Sequence, residues 1–287
     1  MQKFDLSVWV NQAPNDKERQ FREAVHTNLV AISDTPTLNT TMALKGGILL
    51  AIQHGSARFT RDIDFSTPQH ITEFDENAFL SDLSQSLAIA VEKLDYALDC
   101  LIQSHERRPP TPDASFPTLK LRIGYAYKHE KKHKRLLNRQ CPTVVELDYS
   151  FNEPNNESTR VIELIDGGIL RAYSIIEVIA EKLRAMLQQE TRNRIRRQDA
   201  YDLYCLLRTH SNLQDSDKHR ILASLRLKAK ARDMAIDRGS ISHSEVIRRS
   251  RTDYPHLAQE IDGALPAFED IYPIVKDFYE SLPWLNS

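Results

Sequence analysis

The sequence predicts an α+β protein, with a mixed-sheet domain over residues 1–170 followed by a helical domain over residues 171–287. Three observations carry that expectation. The first half interleaves stretches of helical period with β-rich or alternating ones such as "TLKLRIGYAYK" and "PTVVELDYSF". Past about Arg171 the stretches "SIIEVIAEKLRAMLQQ", "RRQDAYDLYCLLRT", "KHRILASLRLKAKARDMA" and "PAFEDIYPIVKDFYESLPWL" all have helical period, with no strand to partner them. Between the two lies "DGGILRAYS", read as a turn.

The elements follow in order. From Asn15 to about Ser33, the residues Phe21, Ala24, Val25, Leu29 and Val30 recur at helical spacing, with Asn15 or Asp16 near a capping position. "TPTLNT" breaks that helix, "TMALKGG" reads as a short strand ending in a turn, "ILLAIQHG" as a short helix and "RDIDFST" as a strand. "ITEFDENAFLSDLSQSLAIAVEKLD" is an amphipathic helix, and "ALDCLIQSHE", "TLKLRIGYAYK" and "PTVVELDYSF" are three further strands.

Composition sets limits. The chain has 287 residues and a formal net charge of −2, so no global charge excess points to nucleic acid. Its three cysteines are scattered and form no CxxC pair, which fits a reducing compartment rather than a disulfide framework or a zinc site. Neither a signal peptide nor a membrane span is expected, and the cytoplasm is the expected location.

One constellation carries chemistry. If residues 58–64 are extended, Arg58, Thr60, Asp62 and Asp64 share a face, with Phe59 and Ile63 behind them. Two carboxylates that close repel unless a cation joins them. Gly46 and Gly47 lie between a strand and a helix, where bare backbone amides can approach a phosphate. Carboxylates beside such amides suit a nucleoside triphosphate with a divalent metal, whose hard charge prefers oxygen ligands. In "PTVVELDYSF", Glu146 and Asp148 share a strand face, and either could be a third acid. Further on, Asp199 and Asp202 sit at i and i+3 on one helix, and Lys182 lies on the polar side of the helix before it. That lysine can hold phosphate or close a helix–helix salt bridge.

The residues Lys45, Gly46, Gly47, Leu49, Arg58, Thr60, Asp62, Asp64 and Phe65 resemble the first motif of the AbiEii/AbiGii toxin family, KGG(T/S)-x-L…R-x-(S/T)-x-D-(I/L)-D-F. That family shares the nucleotidyltransferase fold of DNA polymerase β-like enzymes. "ELDYSFNEP" is similar to its later strand, and Lys182, Arg184, Arg196, Asp199, Asp202 and Leu203 fall on its helical motif. The resemblance brackets most of residues 44–207 and implies a nucleotidyltransferase-like N-terminal domain. It implies Asp62, Asp64 and Asp148 as the acids holding Mg2+ or Mn2+, with Lys182 and Asp199 in the active site. Lys45, Gly46, Gly47, Arg58, Thr60, Lys182 and Asp202 would bind the nucleotide. The implied reaction passes a nucleotidyl group from a nucleoside triphosphate to a hydroxyl acceptor, with tRNA a candidate. The implied setting is a bacterial toxin–antitoxin or abortive-infection system whose antitoxin is encoded separately.

The chain departs from the pattern at two places. Ile48 stands where a Ser or Thr usually follows the glycines, and Asn152-Glu153 lacks the usual glycine of the later turn. The alternative is therefore a catalytically degenerate nucleotide- or RNA-binding module. A phosphatase loop with an aspartyl nucleophile follows a strongly apolar strand, whereas "SARFTR" precedes "DIDFS" here. A DxD glycosyltransferase leaves Gly46 and Gly47 unexplained. The basic stretches "YKHEKKHKRLLNR", "RNRIRR" and "KHRILASLRLKAKAR" are either a footprint for phosphate backbones or solvated surface.

Overall fold

The computed structural model describes residues 3–111, 114–155 and 159–284. The chain forms two compact units, one of Met1–Ile52, Arg61–Glu153 and Thr159–Ala172, the other of Gln53–Thr60, Pro154–Ser158 and Tyr173–Ser287.

The first unit opens with α1 (Leu6–Asn11), α2 (Asp16–Ser33) and α3 (Pro36–Asn39). Asn15 caps α2 by accepting a hydrogen bond from the Glu18 amide at 2.9 Å, and Asp16 and Glu18 complement the positive end of the helix dipole. Next come β1 (Ala43–Lys45), α4 (Gly46–His54), β2 (Asp62–Ser66) and α5 (Glu76–Lys93), the last capped by Asp75. Strands β3 (Leu98–Arg108) and β4 (Thr118–Tyr127), helix α6 (Lys131–Leu137), and strands β5 (Val144–Ser150), β6 (Arg160–Glu163) and β7 (Ile169–Ala172) complete the unit. The described strands form one mixed sheet, ordered β3-β4-β5-β2-β1-β7-β6. The β2–β5 and β1–β7 pairs are parallel and the others antiparallel.

One face of this sheet is the core. Leu44, Ile63, Phe65, Leu119, Leu121, Ile123, Val145, Leu147, Tyr149 and Leu170 are all buried, and α2 and α5 pack against the sheet. Phe74 meets Tyr149 edge-on and Phe79 stacks on it, with ring centroids 5.9 and 5.6 Å away. Alternation then turns the polar residues of the same strands to the opposite face.

The second unit is built from α7 (Ile175–Leu187), α8 (Arg197–Thr209), α9 (Asp215–Lys230), α10 (Ser244–Arg251) and α11 (Phe268–Glu280). The expected stripe of Ile176, Ile179, Leu183 and Met186 is buried along α7, which packs on α8 and α9. Among the described residues no helix is long and apolar enough to cross a membrane.

Three local expectations change. "DGGILRAYS" is not simply a turn, because its Ile169–Ala172 pairs with Arg160–Glu163 as a short hairpin. The basic segment after Tyr127 contains helix α6. The extended run over 58–64 is split, since β2 starts only at Asp62 and Arg58 bridges Ile261 within the second unit. The Phe59 amide donates to the Glu260 carbonyl and the Asp262 amide to the Ala57 carbonyl, so those backbone groups are satisfied away from the sheet.

Candidate active site

The polar face of the sheet is a ladder of charges. β2 and β5 run parallel in a register that sets Asp62 beside Glu146 and Asp64 beside Asp148. On the flank of β2, Lys45 of β1 lies opposite Asp64. On the flank of β5, β4 sets Lys120 opposite Asp148 and Arg122 opposite Glu146. Residues directly opposite each other share a face. One transverse row therefore reads Lys45, Asp64, Asp148, Lys120, and the next reads Asp62, Glu146, Arg122. Four carboxylates occupy two neighbouring strands, with cations on the strands outside them. Both candidates for the third acid share this face, and Asp148 is the one level with Asp64.

Gly46 explains how Asp64 fits. Its φ is +72°, a conformation that side chains rarely adopt, and a Cβ there would lie 2.0 Å from Asp64 Oδ2 and 2.8 Å from its Cγ. The Asp64 carboxylate thus occupies the space that a side chain at 46 would fill. Ile48, two residues on, is completely buried, so its side chain belongs to the core. At the other departure from the family pattern, Asn152 takes φ +59°, a left-handed conformation that asparagine tolerates better than most residues. Its Oδ1 accepts from the Ile71 amide at 3.2 Å and its Nδ2 donates to the Ser115 carbonyl at 2.8 Å. Glu153 is buried after it, 3.9 Å from the Lys45 ammonium.

Asp148 is tightly constrained within the block. Burial raises its pKa above the ordinary carboxylate value, Asp62 and Glu146 add to the rise, and the Lys120 ammonium opposes it. Lys120 Nζ lies 2.9 Å from Asp148 Oδ2, while Oδ1 is buried without a hydrogen-bond partner. Burial would lower the Lys120 pKa, but Asp148, Glu146 and Asp62 together hold it above its ordinary value. Among the described residues, no three His, Cys, Asp or Glu side chains stand close enough together to hold a metal ion. The donor chemistry nevertheless fits Mg2+ or Mn2+, since the acids are all-oxygen, lie on one face and leave one buried oxygen without a partner.

The second unit contains a separate, buried ion network. Lys182 on α7 is 8% exposed, and its Nζ donates to Asp199 Oδ1 at 3.0 Å and to Asp202 Oδ2 at 2.7 Å. Asp199 and Asp202 lie on α8 at i and i+3, so one ammonium reaches both. Arg58 grips Asp202 with both arms of its guanidinium, Nε to Oδ1 and Nη2 to Oδ2, each at 3.0 Å. Burial alone would raise the Asp202 pKa, but Lys182 and Arg58 more than offset it and hold the carboxyl below its ordinary value. Arg196 stands 3.9 Å from Asp199 Oδ2, an oxygen that is buried without a hydrogen-bond partner. The helix–helix salt bridge considered from the sequence is therefore present, and Arg58 joins it instead of the carboxylate face. Thr60 is half-buried in the same segment as Arg58.

The basic stretches divide. Around α6, Lys128 pairs with Glu92 and Asp99, Lys132 with Glu130, and His133 with Asp99, while Lys131, Lys134, Arg135 and Arg139 are exposed. In "RNRIRR", burial lowers the Arg192 pKa, and Arg194, Arg184, Arg232 and Arg196 lower it further by repulsion. Sequence reasoning missed Lys120, Arg122 and Glu153. Alternation in "TLKLRIGY" already turns Lys120 and Arg122 away from Leu119, Leu121 and Ile123, but nothing local reveals which strand β4 pairs with.

Comparisons with known proteins bear on the fold and the family. No curated protein matches the chain. Among solved structures, JHP933 from Helicobacter pylori aligns over 93% of this chain and 92% of its own, at 19% identity and a TM-score of 0.51. That is a likeness of fold. A candidate nucleotidyltransferase from H. pylori aligns over 93% of this chain and 95% of its own, at 17% identity and a TM-score of 0.48. The family described as nucleotidyl transferase AbiEii toxin, type IV TA system, matches residues 29–278, well past the stretch in which the sequence motifs were visible. The chain belongs to the AbiEii nucleotidyltransferase toxin family of type IV toxin–antitoxin systems.

Proposed function

We propose that this protein transfers a nucleotidyl group from a nucleoside triphosphate to a hydroxyl of RNA, with tRNA as the acceptor to test first. The observation that carries the reading is the carboxylate block, with Asp64 fitted over Gly46 and level with Asp148 on the neighbouring strand. Asp62, Asp64 and Asp148 would hold Mg2+ or Mn2+, which would supply Lewis-acid chemistry for the attacking hydroxyl and the oxygens of the leaving pyrophosphate. Gly46 and Gly47, at the start of α4, offer backbone amides to phosphate, and Lys45 adds a positive charge at the edge of the block.

In the second unit, Lys182, Arg58 and Asp202 are assigned to the nucleotide. Asp199, on the same helical motif, is assigned to the active site with them, as the family resemblance implies. The clustering of Arg184, Arg194, Arg196 and Arg232 around Arg192 supports an RNA partner over a small-molecule acceptor. Family membership also supports a separately encoded antitoxin and a cytoplasmic setting.

The test incubates the protein with each labelled triphosphate, Mg2+ or Mn2+, and total RNA, and then sequences RNA 3′ ends. Label in RNA that disappears in the Asp64→Asn protein is the expected result. Triphosphate binding without transfer to any acceptor would favour the degenerate binding module. The burial of Ile48 bears on that alternative, because a core position gives no reason of its own to expect lost catalysis.

A further inference from the structure

We propose that Lys120 and the divalent cation compete for Asp148, so that Lys120 sets the metal affinity of the carboxylate block. This rests on the reading of that block as a metal site.

Asp148 has one oxygen 2.9 Å from the Lys120 ammonium and the other buried with no hydrogen bond. The ammonium arrives from the adjacent strand, directly opposite Asp148 in the antiparallel register, so the sheet itself aims it. Asp62 and Glu146 surround the pair with further negative charge, and Arg122 faces Glu146 in the next row. An ammonium and a divalent ion held by one half-buried carboxylate repel strongly at this range. One of them has to withdraw. Lys120 can, because its side chain is 36% exposed and its four-carbon stem is flexible, whereas the Asp148 side chain is only 19% exposed. Lys120 thus neutralises an acid that burial penalises, and the cost of displacing it is subtracted from metal binding. That role differs from those of Lys45 and Arg122, which lie across from other acids of the block.

The experiment titrates the full-length chain with Mn2+ at low ionic strength, reading free Mn2+ by electron paramagnetic resonance. Four variants are compared with the unmodified protein: Lys120→Met, Lys120→Arg, Asp148→Asn, and the Lys120→Met/Asp148→Asn double variant. Competition predicts binding about tenfold tighter for Lys120→Met, from removal of one charge at this distance. Lys120→Arg, which keeps the charge, stays near the unmodified affinity. Asp148→Asn binds more weakly, and the double variant matches Asp148→Asn, because without Asp148 there is nothing to compete for. A Lys120→Met protein that binds Mn2+ no more tightly overturns the proposal, as does a gain that persists in the double variant. A Lys120 that merely positioned Asp148 would give weaker binding on replacement, the opposite sign. If no protein in the set binds Mn2+, the metal-site reading itself fails and takes this inference with it. Thermal melting of each variant confirms folding, which the exposure of Lys120 leaves intact.

Discussion

The two charged clusters of this molecule are built on opposite principles. On the sheet, Asp62, Asp64, Glu146 and Asp148 crowd onto two neighbouring strands, and Lys45, Lys120 and Arg122 stand on the strands to either side. In the helical unit, Asp199 and Asp202 are interleaved with Lys182 and Arg58, each within hydrogen-bond distance of a carboxylate. The first cluster is half-buried and keeps its like charges together; the second is almost wholly buried and nearly self-neutral. Charges gathered at a cost to stability point to a place that receives a ligand, whereas charges that compensate one another also hold the folded unit together, whatever ligand they meet. The contrast can be broken by mutation.

The largest effect is expected for Asp64→Asn, which should lower nucleotidyl transfer by on the order of 10²–10³ or more, the scale of losing one group that stabilises the transition state. Its melting temperature should hold or rise, because a like-charge repulsion disappears. Asp202→Ala should do the reverse to stability, leaving Lys182 and Arg58 buried with too little compensation. Breaking a buried pair this way costs about 3–5 kcal/mol, readable by urea unfolding. A loss well under 1 kcal/mol would erase the distinction between the clusters.

The same unfolding experiment has a pH arm. Because the Asp202 carboxyl lies below its ordinary value in the folded protein, its contribution is complete above the unfolded pKa of about 4 and fades as pH falls through the folded value. The gap in stability between the unmodified protein and Asp202→Asn should therefore be widest near neutrality and narrow in acid.

Gly46→Ala comes next. Its positive φ and the clash with Asp64 should cost roughly 1–3 kcal/mol, and transfer should fall as well because the acid must move. Asn152→Ala should be the mildest, about 1 kcal/mol for a left-handed alanine and slightly more for the two lost hydrogen bonds, with transfer little changed.

Much of the sheet site was legible because alternation is a local property. Asp62 and Asp64 had to share a face once their segment was a strand, and so did Glu146 and Asp148. The choice between the latter two was not local, since it depends on the register between β2 and β5. Lys120 was illegible for the same reason. Alternation over an extended 58–64 puts Arg58 on the carboxylate face, but the strand begins only at Asp62 and the partners of Arg58 lie far along the chain, at Ile261 and Asp202. The ion network of the helical unit was half-legible, because i, i+3 spacing put two acids on one face and allowed a salt bridge from Lys182 to one of them, but could not show that the lysine reaches both or supply the arginine. The β6–β7 hairpin went unread because strands this short carry too few alternations to stand out from a turn.

Arg58 has one more consequence, which concerns modularity. The segment Gln53–Thr60 leaves the first unit between α4 and β2 and is counted with the helices that follow residue 172. A fragment cut from 173 onward would carry Asp202 but not the guanidinium that grips it. Gene fusion or recombination at that apparent seam would hand on a helical unit with its central carboxylate under-neutralised. The two units are therefore poor candidates for separate inheritance. A relative that exchanged its helical half would have to exchange the loop before the DxD strand along with it.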